Sequence, residues 1–256
     1  MTKIITLANS KGGAGKSTTA LALISAIEAT GRSVIAADLD NQGTLAELIS
    51  SNTDGKYRLP LTEKVSIEPV YFSDDDNQNA KLTAERIAEL EKLSPDFLIM
   101  DTKGKASATA TWAMFVADLV LCPTSGDAAE FGPVTSTFKN FSDALVASGE
   151  EEDPHERFRV MFNKNKSITP KEILLARTAL KEHFKCLNGL PDLSSFNAAA
   201  FNGTTLLGLV EYSDDLATNG VGRERSRGKQ DKEKFGKALS ASLAMLEEIE
   251  KEIGNE

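Results

Sequence analysis

The chain has 256 residues, a net charge of −9 and two cysteines, Cys122 and Cys186. That length suits one large α/β domain, residues 1–256, with a sizeable core, and two cysteines without metal or redox spacing exclude a disulfide scaffold and point to a reduced, cytosolic protein. The acidic balance, with a pI near 5.0, excludes a surface built throughout for nucleic acid but leaves room for a local basic patch.

The first apolar run, Ile4–Ala8, starts almost at Met1, so no signal peptide is expected there, and no uninterrupted apolar run is long enough to span a membrane. It leads into Ser10-Lys11-Gly12-Gly13-Ala14-Gly15-Lys16-Ser17-Thr18. Small residues there let successive backbone N–H groups face one anion. Lys16 supplies charge for the β/γ-phosphates, and the Ser17 hydroxyl is placed for Mg²⁺. A helix from Lys16 to about Thr30 adds its positive end, with Ala20, Leu21, Leu23, Ile24 and Ile27 on its apolar face. The strict Walker pattern has Gly five residues before Gly15. Here Ser10 stands there, and the motif reads Lys-Gly-Gly-x-Gly-Lys-Ser.

Further apolar runs follow at Val34–Ala37, Ser66–Val70, Phe97–Met100, Leu119–Cys122 and Phe158–Phe162. Several are apolar at consecutive positions, as strands buried on both faces are. Alternation of such strands with helices predicts an α/β fold with a mainly parallel twisted sheet and helices on both faces. Its ligands bind at the carboxyl ends of the strands. Asp38, Asp40 and Asp101 fall at such ends, beside the phosphate loop. Asp101 closes an apolar strand in the Walker B manner, suited to holding Mg²⁺ through water, and the set can supply a metal clamp and a group that orients water.

The segments Asn52–Leu61 and Asp74–Asn79 read as loops, and Glu150–Asp153 as a solvated acidic run. Thr169-Pro170-Lys171-Glu172 reads as a capped helix start with Thr169 as N-cap. His155 and His183 stand alone and make no metal site. The last helix, about Asp231 to Ile253, places Leu239, Leu243, Leu246, Ile249 and Ile253 on one face. Overlapping its start, Arg223–Lys237 is the one segment with a clear positive excess.

Lys11–Thr18, Asp38–Gly43, Asp101–Thr102, Ala117–Thr124 and Phe162-Asn163-Lys164 together resemble the deviant Walker A ATPases of the ParA/MinD family. The resemblance covers roughly residues 1–165. It implies a P-loop NTPase fold of the SIMIBI type and an ATPase that uses ATP and Mg²⁺ and forms a sandwich homodimer with ATP. Gly12 to Thr18 would cradle the nucleotide. Lys11, with no duty in its own protomer once Lys16 is assigned, would reach the partner's phosphates. Asp40 would position the hydrolytic water, Asp38 and Asp101 would lie in the metal's outer shell, and Asn163 would face the adenine. Two departures stand out. Asn41 replaces a frequent proline, and Thr102-Lys103-Gly104-Lys105 follows the Walker B acid where prolines are usual; the Gly resembles VirC-type relatives.

Among relatives, the acids of the final helix argue against a membrane-binding end. The resemblance then implies partition of a plasmid, chromosome region or other cargo over the nucleoid. ATP dimers would bind double-stranded DNA without sequence preference, and a ParB-like adaptor would trigger hydrolysis. Arg223, Arg225, Arg227 and Lys229 are the candidate DNA contacts, and a merely solvated loop is the competing reading. A VirC-type accessory factor in conjugation and a metabolic P-loop ligase or synthetase are the alternative functions.

Overall fold

A computed structural model describes residues 1–43, 45–46, 61–165 and 168–254. Among these residues seven strands form one sheet: β1 (Lys3–Leu7), β2 (Val34–Asp38), β3 (Val65–Pro69), β4 (Phe97–Asp101), β5 (Leu119–Thr124), β6 (Phe158–Phe162) and β7 (Cys186–Asn188). Their order is β3-β2-β4-β1-β5-β6-β7, and every pairing is parallel. The predicted parallel sheet is therefore present, with the six expected strands within a residue or two of their places. The short seventh strand was not expected; three residues carry too little apolar pattern to read.

Side chains alternate between two cores. Ile5, Leu7, Phe97 and Ile99 face one, and Ile4, Ala8, Leu98 and Met100 face the other. Both faces are covered, which is why the strands read as continuous apolar runs. The first face carries α1 (Lys16–Ala29) and, late in the chain, α7 (Ser194–Phe201), α8 (Leu206–Asn219) and α9 (Arg223–Ile253). The second carries α2 (Asp76–Glu91), α3 (Ala108–Phe115) and α4 (Phe131–Ser148). The short α5 (Pro154–Arg157) precedes β6, and α6 (Lys171–His183) precedes β7. Helix α1 is buried on nearly every side, not on a single face, because α9 lies across its outer surface. This is the pattern of a helix enclosed within a large core.

Three local expectations change. The Asp74–Asn79 segment is not a loop throughout. Asp75 caps α2 by accepting from Gln78 N, Asp76 stands in the first turn and accepts from Ala108 N at 2.6 Å, and Asn79 is buried. Three acids in a row here mark a helix start, where unpaired N–H groups and the helix dipole favour negative charge. Helix α6 begins one residue later than its capping pattern suggests: Pro170 takes an extended ψ of 146° and serves as N-cap without a side-chain bond. The final helix starts at Arg223 and runs 31 residues, so the basic stretch is helical. Gly222 precedes it, and Gly228 lies inside it, buried against α8. The stretch expected as a loop at Asn52–Leu61 lies, Leu61 apart, outside the described residues.

The C-terminal half of α9 packs its Leu239–Ile253 face on the core as expected, with Phe235, Ala238 and Met245 added. Its acids have structural partners. Glu252 accepts from the buried Arg159 at 2.7 Å, Glu250 pairs with Arg32 and Lys3, and Glu248 accepts from Asn188 N at 3.1 Å. No helix among the described residues is long and apolar enough to cross a membrane.

Candidate nucleotide-binding site

The register of the sheet sets Leu7, Asp38 and Asp101 side by side at the ends of β1, β2 and β4. The loop between β1 and α1 rises from this row. Gly13 and Gly15 adopt left-handed φ angles of 75° and 96°, which a side chain would strain. A Cβ on Gly15 would also sit 3.2 Å from Asn163 Nδ2. Ser10 has no such angle, so the glycine of the strict Walker pattern is not needed there. Its N–H donates to Thr137 Oγ1 at 3.0 Å and its hydroxyl to Pro133 O at 3.1 Å, tying the loop to α4. Asn9 braces the same loop, donating to Pro123 O at 2.8 Å and accepting from Lys11 N at 2.8 Å.

The cleft over this loop encloses about 660 Å³. Its walls include Gly12, Gly13, Gly15, Lys16, Ser17, Thr18 and Asp40, together with Lys103, Gly104, Lys105 and Lys164. Phe196, Asn197 and Ala200 of α7 close one side. Ala14, within the loop, is buried. Lys16 is buried, and desolvation holds its pKa below the ordinary lysine value against the pull of Asp101 and Asp40.

The three acids have different surroundings. Asp38 is buried, and its carboxylate accepts from the N–H groups of Asp40, Leu45 and Ala46 at 3.1, 2.7 and 2.9 Å. It anchors the segment that follows β2. Asp40 sits on the cleft wall and accepts from Gln42 N. Asp101 is buried, and burial pushes its pKa up to about 7, helped by the charges of Asp38 and Asp40 and opposed by Ser17 and Lys16. Its Oδ1 has no hydrogen-bond partner. An orphaned carboxylate oxygen beside Ser17 is the kind of acceptor that a hydrated Mg²⁺ satisfies. Among the described residues, no three His, Cys, Asp or Glu side chains converge as a direct metal cage.

Two placements differ from expectation. Lys11 is engaged within its own protomer, donating to Glu130 Oε1 at 3.1 Å. Glu130 is buried and also accepts from Thr124 Oγ1 and, at 2.6 Å, from Ser125 N. Asn163 lies behind the loop and is buried; its amide donates to Thr19 Oγ1 at 2.8 Å and accepts from Leu190 N at 2.9 Å. The cleft wall beyond the phosphate loop comes instead from Lys164 and α7. Lys164 has a left-handed φ of 55°, and no sequence signal marks α7 as part of the site. Cys122 is buried and its thiol pKa is raised by burial. His155 and His183 lie among Phe131, Phe138 and Phe184.

Arg223, Arg225, Arg227 and Lys229 are exposed on the first turns of α9. Arg225 donates to Thr218 O at 2.9 Å, Arg227 pairs with Asp231 at 3.3 Å, and Lys232 and Lys237 pair with Asp214 and Glu233. They do not join the cleft lining.

The family model for ATPase MipZ matches residues 3–134, just over half of the chain. The chain belongs to the MipZ ATPase family. It is a P-loop ATPase of the ParA/MinD type, as its motifs suggested. Solved structures share the fold. An ATP complex of Cyanothece McdA is 14% identical, covers 95% of this chain and 97% of its own, and gives a TM-score of 0.63. Cobyrinic acid a,c-diamide synthase from Mycobacterium smegmatis, with ADP and magnesium, is 18% identical over 79% of this chain and 91% of its own, with a TM-score of 0.56. The septum site-determining protein MinD of Pyrococcus horikoshii OT3, with Mg-ADP, is 20% identical over 93% and 95%, with a TM-score of 0.52. No curated protein sequence matches the chain.

Proposed function

We propose that this member of the MipZ family is a nucleotide-switched positioning or partition ATPase whose whole chain acts as one ATPase domain. The observation that carries the reading is the cleft itself. Lys16, the wall carboxylate of Asp40 and the orphaned Asp101 oxygen stand about one anion-binding loop, with Lys11 paired to Glu130 beside it. Gly12 to Thr18 bind the phosphates of ATP, with the N-terminus of α1 behind them. Ser17 holds Mg²⁺, with Asp38 and Asp101 in its outer shell; Mg²⁺ supplies charge neutralisation on the phosphates. Asp40 orients the attacking water. Asn163 shapes the nucleotide site through Thr19 and Gly15.

In this reading ATP brings two protomers together, and Lys11 exchanges Glu130 for the partner's phosphates. The dimer doubles the exposed cations Arg223, Arg225, Arg227 and Lys229 and holds non-specific double-stranded DNA, placing the protein on the nucleoid in the cytoplasm. An adaptor of the ParB-like kind stimulates hydrolysis and release.

Sedimentation with ATP, a slowly hydrolysed analogue or ADP tests the switch: the triphosphates give a dimer, and Lys11→Ala weakens it. A monomer in every state overturns the proposal. Surface binding to DNA across a salt series, with ATP and with ADP, tests the second half. Affinity falls steeply with salt and drops when Arg223, Arg225 and Arg227 are all replaced by Glu, while dimerisation persists. Phosphoryl transfer to a small molecule without DNA binding identifies a synthetase instead.

A further inference from the structure

The residues after the Walker B acid are fixed more firmly than an ordinary loop. Thr102 is buried and donates from both its N–H and its hydroxyl to Leu7 O, at 3.2 and 2.8 Å. Two residues on, Gly104 lies directly against the phosphate loop: a Cβ there would sit 2.8 Å from Gly12 Cα and 3.0 Å from Gly12 N. Lys103 is thus held between two anchored neighbours, on the wall of the cleft that Lys16 and Ser17 also line. Its ammonium donates to Asn41 Oδ1, the residue after Asp40. Among the described residues no carboxylate lies within ion-pair distance of it.

A half-buried cation facing an anion-binding loop, with only a neutral amide as partner, lacks its counter-charge. Both bonds have an ionised donor, but only a phosphoryl oxygen also brings the opposite charge on the acceptor, so a phosphoryl group entering the cleft outcompetes the neutral Asn41 amide. The Asp40–Gly43 turn, closed by Gly43 N to Asp40 O at 2.8 Å, carries Asn41 and Asp40 together. Whatever Lys103 does to Asn41 is therefore felt at Asp40.

We propose that Lys103 binds the terminal phosphoryl group of a bound triphosphate, and that by leaving Asn41 to do so it signals to the Asp40 turn that a triphosphate rather than a diphosphate is present. This deepens the ATPase reading and rests on it. Lys103 then contributes a positive charge in cis to the oxygens on which charge accumulates during transfer to water. No bond to Lys103 forms or breaks.

The test is calorimetric titration of the full chain with a non-hydrolysable ATP analogue and with ADP, each with Mg²⁺. Lys103→Gln weakens the analogue by about tenfold, the worth of one charge-assisted bond, and leaves ADP nearly unchanged. The unchanged ADP affinity doubles as the folding control. Lys103→Arg keeps most of the analogue's affinity. Asn41→Ala removes the competing amide and leaves the preference for triphosphate in place. A Lys11→Ala background separates the effect from any partner lysine. Equal losses for both nucleotides, or no loss for either, overturn the inference. Failure to dimerise or to bind DNA bears only on the proposed function, because the ratio of the two affinities is read without either.

Discussion

The phosphate cleft and the basic half of α9 both gather cations in this acidic chain, and they are built in opposite ways. In and beside the cleft each lysine is set by neighbours: Lys16 is buried at the start of α1, Lys11 next to the lining is paired with Glu130, and Lys103 stands between Thr102 and Gly104. On α9 the cations project from an exposed helical surface, where i,i+4 pairs such as Arg227–Asp231 and Lys237–Glu233 are the main restraints. A preorganised cleft concentrates its field on one ligand group and loses heavily when one member goes. An exposed row of charges acts by sum, is screened by salt, and loses little per residue.

The largest effects belong to the cleft. Lys16→Ala leaves the loop without its buried cation, and nucleotide affinity falls by about a hundredfold, on the scale of a lost charged hydrogen bond in a desolvated site. Asp40→Ala behaves differently. Its carboxylate lies on the cleft wall; because its proposed role is to orient the water, nucleotide binding persists while kcat falls by about a hundredfold or more, the usual worth of a positioned base. Titration and single-turnover hydrolysis on the same preparations separate the two, and normal turnover by the Asp40 variant removes it from that role.

The sequence made the cleft legible because its parts obey strict local rules. Glycines must stand where φ is positive, as at Gly13 and Gly15, and strands covered on both faces must be apolar throughout, as in Phe97–Met100. What depends on contacts between distant segments was hidden. Nothing near Lys11 announces Glu130, and nothing near Asn163 announces that Thr19 and Leu190 will occupy its amide. The same limit explains α9. Gly228 reads as a loop residue, yet it sits in a helix because α8 passes too close for any side chain.

That closeness gives a prediction whose sign opposes helix propensity. In an exposed helix, Gly→Ala gains about 1 kcal/mol. At Gly228 the new Cβ would sit 2.5 Å from Ala217 N and 2.8 Å from Leu216 C, which are backbone atoms of α8. Overpacking of this kind costs about 1–3 kcal/mol, so Gly228→Ala lowers the denaturant midpoint. A stabilised variant would show that the α8–α9 contact is loose and that the basic half of α9 is free to move as a unit.

The smallest effect tests whether Lys11 belongs to the cleft's restrained class or to the exposed class of α9. Glu130 is buried, but Lys11 keeps more than a third of its side chain exposed, so solvent screening reduces the pair to about 1 kcal/mol. Glu130→Gln keeps one oxygen as acceptor for Thr124 and Ser125, and removes the charge together with the oxygen that accepts from Lys11. The Glu130 pKa lies below the ordinary glutamate value: burial pushes it up, but the hydrogen bonds from Thr124, Lys11 and Ser125 outweigh burial. A carboxyl with a depressed folded pKa stabilises the fold above its unfolded pKa, and that contribution disappears as pH falls through the folded value. Wild type therefore exceeds Glu130→Gln in stability at neutral pH, and the gap closes in acid below the ordinary glutamate range. Urea titrations at a series of pH values read the gap. A difference that persists unchanged into acid would assign it to packing of the Glu130 side chain, and Lys11 would then be as lightly held as the arginines of α9.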